Sequence, residues 1–572
     1  MKQPVIQFEQ FTFKYHSQTE PSLIDMDLTI YEGEKVLIVG PSGSGKSTLA
    51  HCLNGLVPFS YKGNMTGNLL IKGTPTASLD IFTLSKRVGT VLQDTDGQFI
   101  GLSVGEDIAF TLENELVPQK KMHDIVEKTA KLVDIHHQMN YSIHELSGGQ
   151  KQRVSLAGVM VDEEIDILLF DEPLANLDPA TGKYAMELIE RVHTDTNKTI
   201  IMIEHRIEDA LHIPFDRIIV VNEGCIVADM TPDALLASDI LSDVHIREPL
   251  YTKALKYHQC LVTEEMQPAH IDTLHISNQT KLALQQKMDE DFSTSTQPRA
   301  NHTVLDVKDV TFSYDKKKII DSISFQIKAG EMVAIIGKNG AGKSTLSKVI
   351  CGFEKYSDGT IMFHDQDIRD KTIFERAKHV GYVLQNPNHM ISKHMIYDEV
   401  ALGLVQRGLT EEEIKERVYE TLRICGLYPY RNWPISALSF GQKKRVTIAS
   451  ILVLNPSILI LDEPTAGQDL RHYTEMMEFL LTLNRQGITI IFITHDMHLM
   501  LEYTNRALVL ADGKLIADKA PVDILTDDQI IAKANLKRTS LFDLAIKSGM
   551  THPKAFIEQF ISHDRKVRKT WQ

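Results

Sequence analysis

The sequence predicts an α/β protein built as two tandem P-loop NTPase domains, each a phosphate-loop core with a helical subdomain inserted in it. Three observations carry this. Two glycine-rich loops of the pattern G-x-x-x-x-G-K-S/T occur, Gly40-Pro41-Ser42-Gly43-Ser44-Gly45-Lys46-Ser47 and Gly337-Lys338-Asn339-Gly340-Ala341-Gly342-Lys343-Ser344. Each follows an apolar run, Lys35 to Val39 and Met332 to Ile336, as a strand leading into a loop and helix requires. Five features recur in one order at nearly constant spacing: Lys46 and Lys343, Gln93 and Gln385, Leu146 and Leu438, Asp171 and Asp462, and His205 and His495 lie 297, 292, 292, 291 and 290 residues apart. That pattern is a duplication with a few loop insertions.

Within each half the elements follow in order. Alternating, β-rich sequence opens both, Val5 to Tyr15 and Val304 to Tyr314. Fully apolar runs, Ile165 to Phe170 and Ile458 to Leu461, read as buried parallel strands. A further pair, Thr199 to Ile203 and Ile488 to Ile493, precedes each histidine. Between glutamine and the Leu-Ser-x-Gly-Gln segment lies charged, helix-forming sequence such as Glu411 to Arg423, the expected helical insertion. The expected division is 1–240 and 302–535 for the two ATPase domains, a linker over 241–301, and a helical C-terminal tail over 536–572. The linker is mixed polar with a Ser/Thr-rich end, Phe292 to Thr296, and reads as flexible. The basic residues Arg565, Lys566, Arg568 and Lys569 read as a solvated tail.

Composition narrows the class. Of 572 residues, 43% are hydrophobic and 24% charged, as in ordinary globular domains. The net charge of −15 argues against gripping nucleic-acid phosphates. The five cysteines form no CxxC pair, so neither a disulfide framework nor a zinc or iron–sulfur site is expected, and a reducing compartment fits best. The start carries no signal-peptide core, and no uncharged apolar run approaches the ~20 residues that span a bilayer. The longest run, Ile451 to Leu461, is interrupted by Asn455 and Pro456. A membrane role therefore runs through partner chains.

The loops specify chemistry. Glycines let backbone N–H groups curl around phosphate oxygens, and the helix N-terminus adds its positive end. Gly40, Ser42, Gly43, Gly45 and Thr48 in the first half, with Gly337, Asn339, Gly340, Gly342 and Thr345 in the second, are expected to cradle ATP. Lys46 and Lys343 reach its β- and γ-phosphates, and Ser47 and Ser344 ligate Mg²⁺. Asp171-Glu172 and Asp462-Glu463 end apolar strands, where carboxylates face the nucleotide crevice. The aspartates suit Mg²⁺, and the glutamates suit polarisation of attacking water.

Leu146-Ser147-Gly148-Gly149-Gln150 and Leu438-Ser439-Phe440-Gly441-Gln442 resemble the signature of the ATP-binding-cassette (ABC) family, and the resemblance covers almost the whole chain. It implies that Ser147, Gly149 and Gln150, and Ser439, Gly441 and Gln442, meet ATP held by the opposite cassette. Two composite ATP sites would then drive closure and opening. It implies Mg²⁺-sensing roles for Gln93 and Gln385, γ-phosphate contacts for His205 and His495, and adenine stacking for Tyr15 and Tyr314. Asp178 and Asp469 resemble the D-loop aspartates. Phe440 departs from the family pattern, where glycine is usual.

The segment Asp94 to Phe110 resembles the corresponding region of energy-coupling-factor (ECF) vitamin importers, especially fused ATPases of the thiamine or hydroxymethylpyrimidine type. The resemblance implies a groove in which Phe99, Ile100 and Val104, with Glu106 and Asp107, receive an arginine-bearing helix of a transmembrane coupling subunit. A separate substrate-binding membrane subunit would choose the cargo, and the ATPase would sit peripherally at the cytoplasmic face. A sugar-type importer ATPase is the main alternative, although such proteins usually have a degenerate second site and here both glutamates are present. A soluble tandem cassette acting on ribosomes or DNA is the other. The linker reads as neither strongly basic nor plainly helical, Asn-His-Leu-Asp does not follow Asp-Glu-Pro, and zinc cysteine clusters are absent.

Overall fold

The computed structural model describes residues 2–93, 97–175, 177–286, 302–315 and 317–569. The chain divides into two compact units, Met1–Lys287 with Lys547–Gly549, and Met288–Ile546 with Met550–Gln572.

In the first unit a six-stranded sheet runs Cys225–Met230, Arg217–Asn222, Lys35–Val39, Thr199–Ile203, Ile167–Asp171, Val88–Val91. Its inner strands pair in parallel, and only the Cys225–Met230 edge runs antiparallel. Lys35–Val39 and Thr199–Ile203 are buried at every position, which explains their unbroken apolar sequence. Pro4–Tyr15 pairs antiparallel with Leu23–Tyr31 and Gly63–Ile71 in a second sheet. One core lies between the two sheets, and another joins the opposite face of the main sheet to the helical insertion.

The second unit repeats the plan. Its six strands run Val380–Val383, Ile458–Asp462, Thr489–Ile493, Met332–Ile336, Arg506–Ala511, Lys514–Lys519, and Thr303–Tyr314 anchors the antiparallel sheet. The helical insertion includes Ile396–Gln406 and Glu411–Ile424, which pack with Phe440–Leu452 into one core. In both units the parallel strands end at the same edge, so the loops that carry the candidate residues converge there.

Two expectations need correction. The segment read as a flexible linker folds over residues 241–286. It forms the helices Leu250–Tyr257 and Asn278–Gln286, and Leu241, Leu250, Tyr251, Ala254, Leu255 and Leu274 are buried. The Tyr251 hydroxyl donates to the Pro268 carbonyl at 2.8 Å, and Leu250 N–H donates to Glu208 at 2.8 Å. Burial of these apolar side chains compensates the ordering entropy that a polar linker could not. The Ser/Thr-rich stretch 292–296 lies outside the described residues. The basic tail is likewise not solvated at Arg568. On helix Pro553–Lys569 that side chain is 2% exposed and pairs with Glu502 and Asp564, each at 2.8 Å.

Candidate functional site

The phosphate loops enter helices Lys46–Leu53 and Lys343–Cys351. Gly45 and Gly342 hold φ of 107° and 98°, which a side chain would resist, and this turns the following N–H groups toward the loop interior. Lys46 is buried, and its Nζ donates to the Gly40 and Pro41 carbonyls at 2.8 Å. Lys343 repeats this with Gly337 at 2.7 Å and Lys338 at 3.0 Å. Each ammonium is thus held inside its own loop, where Lys46 Nζ also donates to Ser44 Oγ at 3.4 Å; Ser42 and Gly43, and Asn339 and Gly340, belong to the same loops. Ser47 and Ser344 follow at exposed positions, with Thr48 and Thr345 next in the helix.

In the first unit Gln93, Glu172 and His205 come together. Gln93 Nε2 donates to Glu172 Oε2 at 2.6 Å, and His205 Nε2 lies 2.9 Å from Glu172 Oε1. Burial, then repulsion from Glu172, pushes the Asp171 carboxyl up to about 6. The second unit is arranged differently. Ser344 Oγ donates to Asp462 Oδ2 at 3.2 Å, and the Tyr382 hydroxyl donates to the same oxygen at 2.8 Å. His495 Nε2 stands 3.6 Å from Glu463 Oε1. Burial and the neighbouring Asp462 charge push the Glu463 carboxyl up to about 8.

The donor set fits magnesium. A serine hydroxyl and an aspartate within 3.2 Å of each other offer hard oxygens, and Mg²⁺ uses few protein ligands when phosphates and water complete its shell. Among the described residues no cluster of three or more His, Cys, Asp or Glu is placed to hold a metal. Gln385 closes the strand-end segment after Val380–Val383, in the position that Gln93 holds after Val88–Val91.

The signature residues begin helices within their own units. Ser147 caps helix Gly148–Met160, exchanging hydrogen bonds with Gln150, and Ser439 caps Phe440–Leu452 with Gln442 in the same way. A Cβ on Gly149 would approach Thr181 Cγ2 to 2.4 Å and force that side chain to shift, whereas Gly441 has space around it. Phe440 is 45% exposed, beside Lys444. Asp178 and Asp469 cap the helices Pro179–Thr196 and Leu470–Arg485.

Tyr15 is half-buried. Its hydroxyl donates to Thr48 at 3.2 Å, tying the ring to the phosphate-loop helix. Tyr314 is 42% exposed and donates instead to Glu354 at 2.9 Å.

The groove after Gln93 needs a different reading. Asp94, Thr95 and Asp96 lie outside the described residues. Asp107 Oδ1 accepts from Ile100 N–H at 2.8 Å and Gly101 N–H at 3.0 Å. Glu106 Oε2 accepts from Leu102 and Ser103 N–H, both at 3.1 Å, completing a capping box. Glu399, the counterpart of Asp107, accepts from Ser392 and Lys393 N–H. These carboxylates shape the loop rather than stand ready for a guanidinium. Ile100 and Leu102, 64% and 84% exposed, are what the loop presents.

Sequence reading passed over three groups that the structure brings to the site. Glu204 precedes His205 and is buried. Lys444, also buried, donates to the Glu463 and Pro464 carbonyls at 3.0 and 2.7 Å, and burial lowers its ammonium to about 8. Its counterpart Gln152 donates to the Pro173 carbonyl at 2.6 Å. Tyr382 touches Asp462. Aligning the two halves residue by residue exposes the first two, as Glu against Thr494 and Lys against Gln.

A family model described as ABC transporter matches residues 23–175 and 320–466. A second, described as ATP-binding cassette cobalt transporter, matches residues 238–312. A putative ABC transporter ATP-binding protein of Clostridium perfringens (strain 13 / Type A) is 57% identical over 569 residues, covering 99% of this chain and 100% of that protein. One of Enterococcus faecalis is 56% identical over 576 residues, covering 99% and 100%. Among solved structures, cbiO1 of Clostridium perfringens, described as part of the ABC transporter complex cbiONQ, is 36% identical with a TM-score of 0.38, covering 41% of this chain and 94% of that chain.

Proposed function

The chain belongs to the ATP-binding proteins of ABC transporters, and from that premise we propose that it is the energy-coupling ATPase of an import system of the ECF type. The observation that supports hydrolysis is the meeting of Gln93, Glu172 and His205 at the end of a parallel sheet whose phosphate loop carries a buried lysine.

In the proposed reaction, loop N–H groups and Lys46 or Lys343 hold the ATP phosphates. Mg²⁺, when bound beside Ser47 and Asp171 or Ser344 and Asp462, supplies charge neutralisation on the phosphate oxygens. Glu172 and Glu463 orient and polarise water, and His205 and His495 steady the γ-phosphate. Ser147, Gly149 and Gln150, with Ser439, Gly441 and Gln442, complete the opposite cassette's site on closure. Loss of the γ-phosphate then removes the contacts that hold the closed state.

The ECF reading is supported by the match of 238–312 to a model described as ATP-binding cassette cobalt transporter, and by the exposed apolar residues Ile100 and Leu102. In this proposal a transmembrane coupling subunit docks there, and a separate membrane subunit selects the cargo. Among the described residues no helix is long and apolar enough to cross a membrane. ATP turnover of Glu172→Gln and Glu463→Gln, measured separately, tests the catalytic reading. Native turnover in both would sink it.

A further inference from the structure

The backbones that carry the two candidate catalytic glutamates are alike. Glu172 N–H donates to Ile203 O and Glu463 N–H donates to Ile493 O, both at 2.9 Å, and both residues hold positive φ, 50° and 44°. Their side chains nevertheless have different partners, and the difference traces to the residue before each histidine.

In the first unit that residue is Glu204, 2% exposed. Its Oε1 accepts from His205 N–H at 2.8 Å and Arg206 N–H at 3.1 Å, and its Oε2 accepts from Leu174 N–H at 3.1 Å. The backbone at the histidine is satisfied without Glu172, whose two oxygens meet Gln93 Nε2 and His205 Nε2. In the second unit the residue is Thr494. Its hydroxyl oxygen accepts from Asp496 N–H at 2.9 Å, but it is too short to reach the histidine amide as well. His495 N–H therefore donates to Glu463 Oε1 at 2.9 Å, and the Thr494 hydroxyl donates to Glu463 Oε2 at 3.2 Å. A buried N–H must find an acceptor. Where Thr stands, the carboxylate that accepts this N–H is the one assigned to catalysis.

We infer that Glu204 is a positioning residue. It takes the backbone N–H groups of His205, Arg206 and Leu174, and so presents Glu172 to Gln93 and the His205 ring, whereas Thr494 leaves Glu463 held by the His495 N–H and the Thr494 hydroxyl. The first unit then carries the faster site. This rests on the proposed catalytic role of Glu172 and Glu463.

The test uses the full chain with MgATP, reading kcat, KM and the thermal unfolding midpoint. Glu204→Thr recreates the second unit's arrangement and is expected to lower kcat at least about tenfold with KM within about twofold, the signature of a misplaced reacting group. Glu204→Gln keeps an oxygen for His205 and Arg206 N–H and is expected to retain kcat within about threefold. Thr494→Glu, placed in Glu172→Gln, is expected to raise the residual turnover about fivefold by freeing Glu463. If Glu204→Thr keeps the native kcat per folded molecule while Glu172→Gln lowers turnover at least about tenfold, the positioning role is wrong and the catalytic reading stands. If Glu172→Gln itself turns over at the native rate, the catalytic reading is what fails. Unchanged residual turnover on adding Thr494→Glu also overturns the proposal, including where Glu204→Thr does not fold.

Discussion

Replacing Arg568 with Met should destabilise the second unit by about 3–5 kcal/mol, the cost of breaking a buried charge cluster by removing one partner. The guanidinium lies 2.8 Å from both Glu502 and Asp564, with the three side chains 2%, 3% and 5% exposed. Burial works against its charge, yet Glu502 and Asp564 more than offset this and hold the arginine pKa above its ordinary value. Without Arg568, the Glu502 carboxylate keeps the Tyr473 hydroxyl at 3.0 Å but faces Asp564 with no buried cation between them. The assay is favourable, because Trp433 falls in the second unit and its fluorescence reports on it. With a urea m-value of about 3 kcal/mol per molar, the midpoint should fall by about 1–2 M. The triple change Arg568→Met/Glu502→Gln/Asp564→Asn should recover at least half of the loss, since a neutral cluster leaves no unpaired charge and Gln still accepts from Tyr473. A midpoint within about 0.3 M of native for Arg568→Met would refute the reasoning. A triple variant no more stable than the single would show that packing, not charge, holds helix Pro553–Lys569.

Lys46→Ala and Lys343→Ala should each weaken ATP binding in their own unit, and a fluorescent nucleotide titration that still shows two equal sites would contradict the loop assignment. Stability should also depend on pH through Glu463. Its folded carboxyl is pushed up to about 8 against an ordinary 4.5, so its contribution is fully present below pH 4.5 and is lost as pH rises through 8. Glu463→Gln removes that dependence. In Mg²⁺-free buffer the native midpoint should drop relative to the variant's between pH 5 and 8.5, and parallel curves would argue against it. Ile100→Asp with Leu102→Asp should abolish co-purification with the membrane partner while leaving thermal stability within about 1 kcal/mol of native, since both side chains are exposed. Undiminished association would remove this surface as the docking site.

Much of the fold was legible because its signals are local and repeated. Apolar runs such as Thr199–Ile203 have one stable use, a strand buried on both faces, and the phosphate loops constrain the strand before and the helix after. What escaped had ambiguous local signals. The helix Leu250–Tyr257 has eight residues, and its buried stripe is diluted by Lys253 and Lys256. Arg568 sits among basic residues that read as a solvated face, and the distant Glu502, with Asp564 one turn away, makes it a core group. Ser103-x-x-Glu106 was a readable capping box, but the resemblance to a docking groove drew the same carboxylate to another role.

The candidate site shows the same limit in sharper form. Motifs list which residues meet phosphate and water, yet they do not say which acceptor each buried N–H will take. Glu172 and Glu463 occupy equivalent motif positions on equivalent backbones, and their partners differ because residues 204 and 494, outside every motif, differ in length and charge. A duplicated chain therefore carries its own control: where the two halves share a backbone, a change in hydrogen bonding traces to the neighbours that differ, here Glu204 against Thr494 at the carboxylate, with Lys444 against Gln152 and Tyr382 against Thr90 differing nearby. On that basis the asymmetry of the two sites is assigned to the pair Glu204 and Thr494 before Phe440. Phe440 stands exposed on the signature helix and leaves the Ser439–Gln442 capping exchange the same as that of Ser147–Gln150.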